Sequence, residues 1–329
     1  MKVLITGGAG YIGSTVASAC EDAGHDVVIL DDFSTGRREF IGERPLYEGD
    51  IADDSLLDRL LREQRIDAVV HCAAKIIVPE SVSKPLAYYE NNVAKTVTLL
   101  AALQRNGVER FLFSSSASIY APDENFVVTE DSPLQPGSPY ARTKFMVELI
   151  LEDFTKASDV RVASLRYFNP IGTDPKLRSG QQLEKPSHVL AKLLEAWSNK
   201  ETFTVTGVDW PTRDGSGIRD FIHVWDLAQA HVAALEHFDE ATANQPYQVF
   251  NIGTGNGVTV KELAASFEKI TGDPLKVQFG DPRPGDVAGV YTVSTKARDV
   301  LGWQAELTET DAVRDAIAWL PVRKEKLGY

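Results

Sequence analysis

The chain has 329 residues, 43% hydrophobic and 25% charged, which suits a folded enzyme with a substantial core in one large domain or two unequal ones. Lysine and arginine against aspartate and glutamate give 34 − 47 = −13; with no basic run and no interleaving of basic and aromatic residues, nucleic acid is excluded as an expected partner. Cys20 and Cys72 lack zinc or disulfide spacing, the apolar start is too short for a signal peptide, and no stretch approaches the roughly 18 apolar residues of a membrane span; reduced thiols, no metal, no membrane and a cytoplasmic setting are expected.

In chain order, strand-like runs at 3–6, 27–30, 45–48, 68–71, 111–114 and 160–165 alternate with amphipathic segments near 12–23, 53–64, 85–106 and 139–156. This alternation predicts an α/β protein with a Rossmann-type, doubly wound parallel sheet, binding ligands beyond the carboxyl ends of its strands. After Arg166 turn-rich stretches surround a helix near 187–199. A helix near 225–237 and a strand at 248–252 read as a return to the first unit. The expected division is a larger domain over 1–168 with a return near 218–252, and a smaller C-terminal α/β substrate-binding domain from 169–217 and 253–329.

The first strand runs into Gly7-Gly8-Ala9-Gly10-Tyr11-Ile12-Gly13, the context a dinucleotide fingerprint needs. Glycines permit the tight turn and the close approach of backbone to a pyrophosphate, whose charge sits on the N–H groups opening the helix. The second strand ends in Asp31, eighteen residues beyond Gly13. A carboxylate there accepts hydrogen bonds from ribose hydroxyls and repels a 2′-phosphate, which favours NAD over NADP.

Ser138 is a good N-cap and Pro139 a good first helical residue, so Tyr140 and Lys144 fall on one helix face. A neighbouring ammonium and the helix N-terminus are both expected to lower the tyrosine pKa. Ser114, Ser115 and Ser116 emerge where the preceding strand ends. Ser116, Tyr140 and Lys144 approaching a nicotinamide form a chemically coherent set: the phenolate takes a proton from a substrate hydroxyl, Ser116 hydrogen-bonds the same oxygen, and hydride leaves the carbon beneath.

These residues resemble the extended short-chain dehydrogenase/reductases and, more narrowly, the UDP-galactose 4-epimerases. The likeness covers nearly the whole chain through Gly7-x-x-Gly10-x-x-Gly13, Gly49-Asp50-Ile51, Glu80-Ser81-Val82, Tyr89-Glu-Asn-Asn92, Ser114-Ser-Ser116, Tyr140-x-x-x-Lys144, Arg166-Tyr-Phe-Asn-Pro170, Gly217-Ile-Arg-Asp-Phe-Ile-His223 and Pro282-Arg-Pro-Gly-Asp286. The resemblance implies that NAD is held by Gly7, Gly10, Tyr11, Ile12, Gly13, Asp31, Asp32, Asp50, Ile51, Asn92, Tyr140, Lys144 and Tyr167. It implies a UDP-hexose held by Ser116, Tyr140, Asn169, His188, Val189, Arg219, Arg283, Asp286 and Val290, with the two arginines clamping the diphosphate and Asp286 taking the uridine ribose. The implied reaction is reversible inversion at C4, with tightly kept, regenerated NAD. A homodimer through helices near 85–106 and 139–156 is also implied.

Three positions depart from the family pattern. Ile76 stands where the family often has lysine, which leaves Lys75 unassigned. His188-Val189 replaces Asn-Leu, and His188 reads equally as a donor to the nucleotide or as a solvent-facing residue. Ungapped counting puts Val290 at the position that gates the hexose pocket, which opens the pocket to N-acetylated UDP-hexosamines; a slip of one residue puts Tyr291 there and closes it. A 4-epimerase of UDP-glucuronate or UDP-pentose, a nucleotide-sugar 4,6-dehydratase and a non-enzymatic NAD-binding sensor are the alternative readings.

Overall fold

Short runs of Val, Ile, Leu and Phe form strands buried on both faces. In chain order the strands are β1 (Lys2–Thr6), β2 (Asp26–Asp31), β3 (Leu46–Glu48), β4 (Ala68–His71), β5 (Arg110–Ser114), β6 (Val127–Val128), β7 (Arg161–Tyr167), β8 (Asn169–Ile171), β9 (Thr202–Thr206), β10 (Ile218–His223), β11 (Tyr247–Ile252), β12 (Gly257–Thr259), β13 (Lys276–Gly280) and β14 (Tyr291–Thr292). The helices are α1 (Tyr11–Asp22), α2 (Asp54–Gln64), α3 (Val78–Ser83), α4 (Pro85–Tyr89), α5 (Lys95–Arg105), α6 (Pro139–Ala157), α7 (Val189–Asn199), α8 (Val224–Glu236), α9 (Phe238–Ala241), α10 (Val260–Thr271), α11 (Thr295–Leu301) and α12 (Glu309–Leu327). The structure, a computed structural model, describes residues 1–121, 125–184, 186, 188–282 and 286–329.

Seven strands form one parallel sheet in the order β11-β7-β5-β4-β1-β2-β3. From β1 the chain first builds outward through β2 and β3, then crosses back to β4 on the other side. The strand order therefore reverses between β1 and β4, where Thr6 pairs with His71, and their carboxyl ends open the crevice in which such folds bind ligands. Alternation along the strands separates two cores. Val3, Ile5, Val27, Ile29 and Leu112 meet Val16 and Ala17 of α1 and Leu227 and Leu235 of α8. Leu4, Val28, Leu30, Phe111 and Phe113 meet Leu57 of α2, Leu99 and Leu103 of α5 and Val147 and Leu151 of α6.

A third core joins α7, α10 and α12 to β9 and β10 through Leu193, Phe203, Phe221, Phe267 and Val313. Here β10 pairs parallel with β8 and antiparallel with β12, while α8 and β11, which follow β10, lie against the large sheet. The segment predicted as one helix over 85–106 has a π turn at Glu90–Ala94 between α4 and α5. The wide turn carries Asn92, which is buried. Its amide donates to the Lys75 carbonyl at 2.9 Å and accepts from the Lys75 N–H at 2.8 Å, a placement typical of π turns at functional sites. Among the described residues no helix is long and apolar enough to cross a membrane, and no cluster of His, Cys, Asp or Glu could hold a metal ion.

Candidate active site

The glycine loop leaves β1 and closes a cradle. Gly7 sits at φ 71°, and a Cβ there would lie 2.7 Å from the Ala73 nitrogen; a Cβ on Gly13 would lie 2.2 Å from the Gly7 carbonyl oxygen. Only glycine fits either place. Gly10 is the N-cap of α1 and no side chain caps the first turn, so the N–H groups at Tyr11, Ile12 and Gly13 keep the orientation and partial positive charge that hold a phosphate. Asp31 stands beside this cradle, its oxygens accepting from the Ala9 and Phe33 N–H groups at 2.9 and 2.8 Å. Burial raises its pKa, and the two backbone bonds pull it back. Asp32 accepts from the Ser34 N–H at 2.8 Å. Asp50 pairs with Lys95, and Ile51 is buried in the core on that side. The cradle, the uncapped helix and the carboxylate fit a dinucleotide.

The Tyr11 hydroxyl donates to the Gly172 carbonyl at 2.7 Å, fastening the first turn of α1 to the segment after β8. Ile12 packs against the sheet core.

Across the crevice, Ser138 caps α6 by accepting from the Ala141 N–H at 3.1 Å, with Pro139 as first helical residue. Tyr140, Lys144 and Glu148, four residues apart, are all buried along one face. Ser116, two residues past β5, stands beside the Tyr140 phenol; its hydroxyl donates to Ser118 Oγ at 2.9 Å and caps the short turn that follows by accepting from the Ser118 N–H at 3.2 Å. Lys144 donates to the Ser114 carbonyl at 2.7 Å and lies 4.8 Å from the Phe113 ring centre.

The expected lowering of the tyrosine pKa is not found. Burial pushes the Tyr140 phenol up, and the neighbouring Ser116 hydroxyl offsets only part of this; the Lys144 ammonium is directed at Ser114 and Phe113 instead. Burial in turn lowers Lys144 to about 8, partly opposed by Cys72 and Glu148. Desolvation outweighs the charge that the motif spacing suggested.

Behind this pair Thr143, His231 and Glu148 escaped the sequence reading, while the singled-out Asn92, Ser114 and Ser115 are their partners. Asn92 donates to Thr143 at 3.1 Å, and Thr143 donates to the Tyr140 carbonyl at 2.7 Å, which pins the first turn of α6. Ser114 bonds His231 at 3.0 Å and Cys72 at 3.2 Å; burial raises the pKa of the phenol of Tyr167, the last residue of β7. Ser115 donates to Glu148 at 2.5 Å, and Arg166 grips the same carboxylate at 2.6 Å. The position of Glu148, eight residues past Tyr140 on one helical face, was the signal that could have found it.

The remaining predicted residues line the far side. Asn169 is exposed at the start of β8. His188 is the half-buried N-cap of α7 with no side-chain cap bond, and burial lowers its imidazole pKa; Val189 packs against the third core. Arg219 donates to the carbonyls of Ile218 at 2.7 Å, Ala288 at 2.8 Å and Val287 at 3.1 Å, stapling β10 to the half-buried stretch that begins at Asp286. Arg283 lies outside the described residues. Val290 packs with Ala117, Tyr120, Val128 and Phe168, beginning one residue past Ser116. Tyr291 instead stands over Gly257, where an added Cβ would come 2.5 Å from its ring.

A parallel sheet with a glycine cradle at its switch point and a Tyr-Lys helix across the crevice defines an NAD-dependent enzyme of the short-chain dehydrogenase/reductase type. Residues 3–253 match the family model described as the NAD dependent epimerase/dehydratase family, and the chain belongs to that family. It is 42% identical to the UDP-glucose 4-epimerase of Azospirillum brasilense, with 99% of this chain and 94% of that protein covered. A crystal structure of UDP-glucose 4-epimerase from Stenotrophomonas maltophila with bound NAD and formylated UDP-arabinopyranose superimposes with a TM-score of 0.94 at 35% identity, covering 99% of each chain. That of Bifidobacterium longum in complex with NAD+ and UDP gives 0.92 at 34% identity over 100% of each chain.

Proposed function

We propose that this protein interconverts UDP-glucose and UDP-galactose by reversible inversion at C4. The observation that carries this reading is the buried Tyr140–Lys144 face of α6 with Ser116 beside the Tyr140 phenol, set on the ligand edge of the sheet opposite a cradle that only glycine fits. The glycine cradle, the opening of α1 and Asp31 would hold NAD, which would supply a reversible hydride acceptor for C4. Tyr140 takes the proton of the sugar 4-hydroxyl and gives it back, while Ser116 hydrogen-bonds the same oxygen as it becomes a carbonyl. Lys144 holds the end of β5 through the Ser114 carbonyl. The resulting 4-keto sugar rotates, while Arg219, Arg283 and Asp286 keep the UDP end anchored. Asn169, His188 and Val189 border that end. Residues 1–168 with the return expected near 218–252 form the NAD-binding part, except that β10 pairs with β8 and β12 outside the large sheet, so the return starts with α8; the rest, with the third core, binds the UDP-sugar.

Purified protein incubated with UDP-galactose and no added cofactor tests this directly. UDP-glucose is the expected product, and Tyr140→Phe removes turnover while sparing NAD binding. No UDP-glucose even with NAD supplied refutes the reading.

Substrate breadth follows from Val290. Its packing beside Ala117, with Tyr291 turned to Gly257, supports the ungapped count and hence a pocket that also takes UDP-N-acetylglucosamine and UDP-N-acetylgalactosamine. The homodimer reading is supported by large apolar side chains exposed on the expected helices, Leu86 and Val97 on one side and Met146 and Leu149 on α6, which together mark an interaction face. A cytoplasmic setting accords with both cysteines being free.

A further inference from the structure

The loop after Asp31 forms the outer wall of the glycine cradle. The Arg37 N–H donates to the Ala9 carbonyl at 2.9 Å, and Gly36 lies so close that an added Cβ would be 2.7 Å from Ala9 and 2.8 Å from the Asp31 carboxylate. The loop thus lies directly against the Ala9 turn and the Asp31 carboxylate.

Tyr329 ties the wall down from 292 residues away in the chain. Its hydroxyl accepts from Arg37 Nε at 3.0 Å and donates to the Gln182 carbonyl at 2.5 Å. The Arg37 and Arg323 guanidinium carbons stand 5.7 and 5.0 Å from its ring centre. Gln182 closes the circuit by donating to the Thr35 carbonyl at 3.3 Å. The Gln182 segment is itself fastened along α1, through Tyr11 to Gly172 at 2.7 Å and through Arg178 to Asp22 at 2.9 Å, and to α12 through Trp319 to the Gln181 carbonyl at 3.0 Å.

We propose that Tyr329 is a cofactor-retaining latch: it holds the 33–37 loop over the glycine cradle, so that NAD leaves only after the Arg37–Tyr329–Gln182 linkage opens. This rests on the reading that the cradle binds NAD and keeps it through turnover. Tyr329 does not approach the reacting atoms in this scheme, so chemistry and cofactor release separate.

The test is exchange of bound NAD for radiolabelled NAD, followed on purified wild-type protein, Tyr329→Phe, Arg37→Met and the double variant. Tyr329→Phe keeps the ring and loses only the hydroxyl; a hydrogen bond from a charged donor is worth about tenfold, so exchange accelerates by roughly that factor. Arg37→Met accelerates it similarly, and the double variant exceeds neither single one by more than about twofold, because both cut the same link. With saturating NAD, kcat and the melting temperature of Tyr329→Phe stay at wild-type values. Exchange within twofold of wild type in both single variants overturns the latch while leaving NAD retention intact. Wild-type protein that carries no NAD after purification overturns the retention reading, and the latch with it.

Discussion

Lys144 is cationic at neutral pH although buried, and this makes a signed prediction about stability. Its pKa falls from 10.5 to about 8 in the folded chain, with burial the first cause. Below pH 8 both folded and unfolded chains carry the proton, and the buried charge is a full cost. Between 8 and 10.5 the unfolded chain keeps a proton that the folded chain has lost, so the contribution of this residue to stability rises with pH. The slope is about 1.4 kcal/mol per pH unit within that window, and from pH 7 to pH 9 the gain is about 1 to 1.5 kcal/mol. Urea unfolding of cofactor-free wild type and Lys144→Met at both pH values isolates the term, since every other titration is common to the two proteins. Wild type should gain on the variant by that amount. A stability difference independent of pH refutes the assigned desolvation, and loss of more than about 3 kcal/mol at pH 7 in the variant would mean the ammonium is a structural asset, as a broken buried pair would be.

Glu148→Ala, one turn further along α6, should behave oppositely. It strands the buried Arg166 guanidinium at a cost of about 3–5 kcal/mol, which for 329 residues corresponds to a fall of about 4–7 °C in Tm; Glu148→Leu combined with Arg166→Met should recover most of it, and a fall under 1 °C for the single change contradicts the pairing. Gly13→Ala drives a methyl into the Gly7 carbonyl and should yield folded protein from which denaturation releases no NAD; full NAD occupancy would show the cradle is not the site. Val290→Tyr should reduce turnover of N-acetylated UDP-hexosamines by at least about tenfold, the effect of steric exclusion in a pocket, while UDP-galactose turnover changes little. Equal loss on both substrates would place Val290 outside the sugar pocket.

The legible parts of the site are those built from local spacing. The glycine cradle, the cap at Ser138, the shared face of Tyr140 and Lys144 and the alternation that makes the sheet are all set within a few residues of one another. Ser114 and Ser115 are different. Their partners His231 and Glu148 lie 117 and 33 residues away, so no spacing distinguishes a serine that caps a turn from one that anchors a buried network. Direction of pKa fails for the same reason. A lysine four residues on suggests a lowered phenol, but the degree of burial, which here dominates, is decided by the packing of α6 against β5. The π turn at Asn92 was equally unreadable, since the backbone partner it serves, Lys75, lies 17 residues away in the chain.

That buried network explains how two separately built halves of the site can cooperate. Ser115 holds Glu148, Glu148 holds Arg166, and Arg166 reaches the Tyr120 hydroxyl at 2.9 Å. Tyr120 donates to Asn251 at 2.6 Å, Asn251 donates to Thr292 at 3.1 Å, and the Thr292 N–H donates to Asp220 at 3.3 Å. Asp220 follows Arg219 on β10. A continuous line of hydrogen bonds thus runs from the serine next to Ser116 to the strand bearing the proposed diphosphate anchor. Inversion needs a sugar free to turn while its UDP end stays fixed relative to Tyr140, and a misplacement of about 1 Å can cost about a hundredfold in rate. Loose surface contacts could not hold that tolerance between elements more than a hundred residues apart. Buried side chains with locked partners can, which is why these polar groups remain in the interior although each costs desolvation to bury.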